Sequence, residues 1–149
     1  MSVPLQVVVA SRSLEQRPDV ATIVQNLGLD PICLSSVTQC RELLSKEGID
    51  LIFCDRFLSD GDYCDVLSAS RSSKTQPYLV LTSHHINTDY QQAIAQGVFD
   101  VITMPCRATD VEWMLIQAKR KQRERGQLQL NRGATELLPA PKIFSKRIA

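Results

Sequence analysis

Asp55 closes the apolar run Asp50-Leu51-Ile52-Phe53-Cys54 and is followed by Leu58-Ser59-Asp60-Gly61-Asp62. A carboxylate at the end of a hydrophobic strand, with further acids just beyond it, can serve as a nucleophile or a metal ligand. Thr82-Ser83-His84-His85 ends another apolar run, Ala10-Ser11-Arg12-Ser13 a third and Met104-Pro105 a fourth. His84 and His85 are adjacent, so on a strand they point to opposite sides and do not make a metal pair. There is no G-x-G-x-x-G after a strand, no G-x-x-x-x-G-K-[ST] and no G-x-S-x-G. Dinucleotide loops, Walker-type phosphate loops and hydrolase elbows are thereby excluded. No nucleophile–base pair is visible, which speaks against an enzyme with a small-molecule substrate.

The elements that must position these residues alternate. Strands are expected at Leu5–Val9, Pro31–Leu34, Asp50–Cys54, Tyr78–Thr82 and Phe99–Thr103. Several are apolar on both faces, as a parallel sheet covered by helices requires. Between them, Val20, Ile23, Val24 and Leu27 follow helical spacing, with Pro18 near the start and Gly28 past the end. Ser36 and Gln39 predict a capping box before Cys40, Leu43 and Leu44, with Gly48 as the stop. A shorter helix is expected over Cys64–Ser70, and a fourth holds Tyr90, Ala93 and Ile94 and ends at Gly97. Thr109 and Glu112 predict a second capping box, ahead of Val111, Met114, Leu115 and Ala118. Five β-α units in series imply a doubly wound α/β domain with right-handed crossovers.

The chain has 149 residues, enough for one domain with a sizeable core. Five cysteines, Cys33, Cys40, Cys54, Cys64 and Cys106, form no C-x-x-C pair, so a reduced, cytoplasmic protein is expected, without a zinc site. No apolar run approaches the ~18 residues of a membrane span, and the first residues do not read as a signal peptide. Net charge is +1, but residues 1–118 carry eight basic and 14 acidic side chains, a balance of −6. Residues 119–149 carry nine basic and two acidic, a balance of +7. Lys119-Arg120-Lys121-Gln122-Arg123-Glu124-Arg125 reads as a solvated helix end whose cations suit the negative end of the helix dipole. The alternative is a nucleic-acid-binding surface, disfavoured because no aromatic residues are interleaved for stacking. From Gly126 the helical pattern dissolves, so residues 1–125 read as the domain and 126–149 as a C-terminal linker or tail.

Asp50–Asp55 with Leu58–Asp62 resembles the phosphoacceptor strand and loop of response-regulator receiver domains. Tyr78–Thr82 is similar to their fourth strand and Gly97–Val101 to the turn into their fifth. The likeness runs from about Leu5 to Arg125. It implies a flavodoxin-like five-stranded parallel sheet in the order 2-1-3-4-5. It also implies that a histidine kinase or another signalling protein is the partner. Asp55 stands at the phosphoacceptor position, Thr82 at the switch hydroxyl and Phe57 at the metal-binding carbonyl.

The remaining positions depart from the pattern. The acidic pair that holds Mg²⁺ is replaced by Ala10 and Ser11, the phosphoryl-binding lysine by Met104 and the switch aromatic by Val101. Ser59 stands in place of the loop proline and Tyr63 in place of the later glycine. Glu15, Asp60 and Asp62 are acids nearby, but none sits at the expected place. Mg²⁺ needs carboxylates to compete with its water shell. No metal or other cofactor is therefore expected, and Asp55 phosphorylation should be weak or lost. The expected function is an atypical receiver in two-component phosphorelay signalling that acts through protein contacts. The alternative is a phosphorylatable receiver using Asp55 with an unusual metal site. Trp113 and Ile116 lie off the inward stripe of the last helix. They are expected to form a homodimer interface with the fifth strand and last helices, the usual receiver dimer face.

Overall fold

The structure, a computed structural model, describes residues 4–12, 19–84 and 86–135. Its strands are β1 (Val7–Ala10), β2 (Ile32–Leu34), β3 (Leu51–Asp55), β4 (Phe57–Leu58), β5 (Gly61–Asp62), β6 (Tyr78–Ser83) and β7 (Asp100–Thr103). Its helices are α1 (Asp19–Asn26), α2 (Val37–Lys46), α3 (Tyr63–Arg71), α4 (Ile86–Gln96) and α5 (Ala108–Thr135). Five strands make one parallel sheet in the order β2-β1-β3-β6-β7. This is the expected doubly wound architecture, and each strand lies within two residues of its expected bounds.

Strand side chains alternate between faces, and each face has its own core. Val8, Ala10, Ile52, Cys54, Leu79, Leu81 and Val101 pack with Val37, Cys40 and Leu44 of α2 and Val66 and Leu67 of α3. Val7, Val9, Leu51, Phe53, Val80 and Ile102 pack with Val20 and Val24 of α1 and Val111, Met114, Leu115 and Ala118 of α5. The near-continuous apolar strands are thus buried on both sides, as a parallel sheet demands.

Several local expectations are corrected. Ser36 caps α2 by accepting from Gln39 N at 3.1 Å, but the Gln39 side chain reaches back to Ser35 N rather than to Ser36. At α5 the carboxylate that reaches back is Asp110, which accepts from Arg107 N at 3.1 Å. Thr109 already lies inside that helix. The segment after Asp55, read as a loop, folds back as an antiparallel pair, Phe57 opposite Asp62 and Leu58 opposite Gly61. Helical backbone continues through Gly126 to Thr135, beyond the point where the periodic pattern ends. A lone glycine costs a helix only about 1 kcal/mol relative to alanine.

The chain divides into two compact units, Met1–Lys119 and Arg120–Ala149. The sheet and both cores lie in the first. No helix among the described residues is long and apolar enough to cross a membrane.

Candidate functional site at the carboxyl end of the sheet

Parallel pairing brings the ends of β1, β3 and β6 to one place. Asp55 is paired with Thr82 across β3 and β6. Ala10 is paired with Cys54 across β1 and β3, so Ser11, the next residue, comes opposite Asp55. Ser11 is held there by its own N–H, which donates to the Leu34 carbonyl at 2.9 Å.

Both oxygens of the Asp55 carboxylate accept hydroxyl hydrogen bonds. Ser11 Oγ donates to Oδ2 at 2.6 Å, and Thr82 Oγ1 donates to Oδ1 at 2.5 Å. Ser11 and Thr82 are buried and Asp55 is half-buried. Beneath them the Cys54 thiol donates to the Asp55 carbonyl at 3.2 Å. Burial pushes that thiol well above its usual range, with Cys40, Asp55 and Asp62 adding to the effect. It is a packed neutral group, not a nucleophile.

The nearby acids serve elsewhere. Asp60 accepts from Val37 N at 2.6 Å and from Thr38 N and Oγ1 at 3.1 and 2.7 Å, capping α2. Those bonds, the Thr38 hydroxyl first, hold its carboxyl below the ordinary value. Asp62 caps α3 and shares a reciprocal capping box with Asp65. Its Oδ1 accepts from Cys64 N at 2.9 Å, while Asp65 Oδ2 accepts from Asp62 N at 3.1 Å. Gly61 is needed here, since a Cβ would meet the Asp65 carboxylate and would stand 2.9 Å from Val37 Cγ2.

Phe57 lies on the short β4 strand, exposed, with the Arg56 guanidinium 5.1 Å from its ring centroid. Met104 follows β7, donates its N–H to the Ser83 carbonyl at 2.8 Å and packs against the second core. Val101 is buried in the first core. His84 is exposed past the end of β6, while Glu15 and His85 lie outside the described residues. Trp113 and Ile116 are both exposed on α5. Trp113 borders an open groove of about 550 Å³ with Val101 and Thr103 of β7, Pro105, Arg107 and Asp110.

No family model matches the sequence. The response regulator protein PilR of Pseudomonas aeruginosa is 28% identical over 97 residues, covering 62% of this chain and 22% of PilR. The chain therefore spans under a quarter of that relative's length. Among solved structures, the receiver domain of NtrX from Brucella abortus superposes with a TM-score of 0.68 at 19% identity, covering 77% of this chain and 98% of that one. The receiver domain of sensor histidine kinase PA1611 from Pseudomonas aeruginosa, with a magnesium ion coordinated in its active-site cleft, gives 0.70 at 11% identity over 78% and 98%. The chain has the receiver-domain fold.

This receiver fold carries an unusual donor set. The described groups that hydrogen-bond the Asp55 carboxylate are the Ser11 and Thr82 hydroxyls, and Ala10 carries only a methyl. Among the described residues, no three His, Cys, Asp or Glu side chains converge to hold a metal ion. Mg²⁺ sheds water reluctantly and is held in proteins through carboxylates and phosphates. Hydroxyls that donate to Asp55 present their protons to it, so the described residues do not by themselves fit a divalent cation.

Asp55 and Thr82, both named from the sequence, are brought together by a hydrogen bond, while Trp113 and Ile116 are exposed on α5. Ser11, a strand-end candidate in the sequence, is the third member of the cluster; its bond to Asp55 is what no sequence signal specifies. The spacing Asp62-x-x-Asp65 was a legible capping signal that removes Asp62 from the list of spare ligands.

Proposed function

We propose that this chain is an atypical receiver domain in two-component signalling that works through protein contacts, with Mg²⁺-dependent phosphotransfer to Asp55 weakened or lost. One observation carries this reading: the Asp55 carboxylate is closed by Ser11 on one oxygen and Thr82 on the other. Attack on phosphorus needs a carboxylate lone pair and a cation to offset the meeting of two anions. Each short hydroxyl bond takes one lone pair of its oxygen and draws charge from the other, which weakens the nucleophile, and the described donor set does not supply a cation. A Lewis-acid metal is worth several kcal/mol at such a transition state, about 10³-fold in rate. Met104 offers no charge in place of a lysine.

The reading extends to partners. A histidine kinase or another signalling protein docks near the Asp55 end. A homodimer forms through β7 and the last helices, where Trp113 and Ile116 are exposed. The location is cytoplasmic, and residues 126–149 act as a C-terminal linker or tail.

The test is incubation of the full chain with Mg²⁺ and acetyl phosphate, read by intact mass. No adduct is expected. An adduct that disappears in Asp55→Asn would overturn the proposal in favour of a phosphorylatable receiver with an unusual metal site.

A further inference from the structure

At the end of the sheet opposite Asp55 lies a cavity of about 400 Å³. It is bordered by Leu67 and Arg71 of α3, Gln76, Tyr78 at the start of β6, Gly97 after α4 and Phe99. Two features of its wall define a ligand chemistry. The first is charge. Arg71 Nη2 donates to the Gln96 carbonyl, a cation at the negative end of α4. A guanidinium has five N–H donors in a planar fork, so this bond leaves donors for a second acceptor. No acidic residue is among the described residues that line the cavity. The guanidinium can lie there because residue 97 is glycine: a Cβ would run into Nη2, and the backbone has φ +111°.

The second feature is a flat aromatic wall. Tyr78 and Phe99 stack with ring centroids 3.9 Å apart and 17° between their planes. Both are half-buried, and both border the cavity. The pair borders the cavity with flat apolar surface, against which a planar ring gains contact area. The corner between cation and rings is held by Gln76, a non-glycine residue at φ 47°. Its N–H donates to Ser73 Oγ at 3.2 Å and its Nε2 to the Arg71 carbonyl at 3.3 Å. A left-handed backbone at such a residue persists where its surroundings enforce it, often beside a ligand.

We propose that this cavity binds a purine mononucleotide, with the base against the Tyr78–Phe99 stack and the phosphate on the Arg71 guanidinium. The volume lies within the range of small-molecule pockets. Planar forks suit phosphate, since guanidinium donors pair with two of its oxygens. The site is separate from Asp55 and does not depend on how that carboxylate is used.

The test is amide NMR of the full ¹⁵N-labelled chain, titrated with adenosine monophosphate, adenosine and inorganic phosphate. The mononucleotide should give saturable shifts at Gln76, Leu79, Gly97 and Phe99, and bind at least about tenfold more tightly than either half alone. Arg71→Gln should abolish those shifts, and Arg71→Lys, which keeps the charge but not the fork, should recover only part of the affinity. The proposal is overturned by absence of shifts at millimolar nucleotide, which leaves Arg71 as a helix cap only. It is equally overturned by shifts confined to Lys119–Arg125, or by phosphate alone matching the mononucleotide. If Arg71→Gln loses its dispersed spectrum, the ranking of the three ligands on the unaltered chain decides.

Discussion

Asp55 is where a carboxylate's surroundings decide its chemistry. Two buried hydroxyls point their protons at it, and charge-assisted bonds of this kind are worth about 1.5–3 kcal/mol each. Ser11→Ala and Thr82→Val should each lower unfolding free energy by about 1–2 kcal/mol in urea titrations at neutral pH. Ser11→Asp instead places a second carboxylate opposite Asp55. That variant should be less stable without metal, and millimolar Mg²⁺ should raise its Tm by about 4 °C while leaving the parent chain unmoved. A comparable Mg²⁺ response in the parent would remove the argument from donor chemistry. Other titrating groups set the pH limits. Burial pushes the Cys40 thiol up to about 11, with Asp60 adding to the effect. Burial and Cys64 push the Tyr63 phenol up to about 12. Both are favoured neutral in the folded state, so their contribution is intact below their ordinary values of 9.0 and 10.0 and fades as pH climbs past them. Urea midpoints should fall above about pH 9, and the fall should be smaller in Cys40→Val. Asp60 acts at the other limit: its lowered carboxyl stabilises above the ordinary value of 3.8 and ceases to as pH drops through the folded value. Asp60→Asn should therefore flatten the acid limb of the stability profile.

At the level of elements, short hydrogen-bonded devices hold the site in place. The β4–β5 pair and the Asp62–Asp65 capping box turn the chain from the Asp55 strand into α3. Asp62→Ala removes acceptors for two helix amides and should cost about 1 kcal/mol, measured by chemical denaturation. Gly61→Ala should cost more than an exposed alanine, because its Cβ displaces the Asp65 carboxylate that completes the box. The central strands were legible because they are apolar on both faces. The hairpin was not: two-residue strands have no period to read. The capping boxes failed by one or two residues for a similar reason. Several polar side chains near a helix start can reach the same amides, and backbone geometry selects among them. Thus Gln39 reaches Ser35, and Asp110 reaches Arg107.

Across the molecule, the buried residues of α5 among those whose side chains are described, Val111, Met114, Leu115 and Ala118, precede Lys119. A chain ending at Arg125 should therefore unfold cooperatively with an unfolding midpoint close to that of the full protein. A broad or strongly lowered transition would show that residues 126–149 contribute to the core. The exposed Trp113 and Ile116 lead to a separate expectation, that self-association in sedimentation experiments weakens in Trp113→Glu. Unchanged sedimentation of a dimeric sample would move the interface elsewhere.

The succession of apolar strands and amphipathic segments determined the doubly wound sheet. Hydrophobic periodicity is a local property, and both faces of a parallel sheet must be covered. It also determined that Asp55 and Thr82 stand at strand ends, where α/β folds gather their chemistry. Only the tertiary structure decided what surrounds them. Ser11 meets Asp55 across 44 positions of sequence because β1 and β3 pair in one particular register. Asp60 and Asp62, within seven positions of Asp55 in the chain, bond to helix amides instead. Charge and hydrogen bonding act over a few ångströms of space, and that proximity is set by strand order and register, which no local pattern encodes.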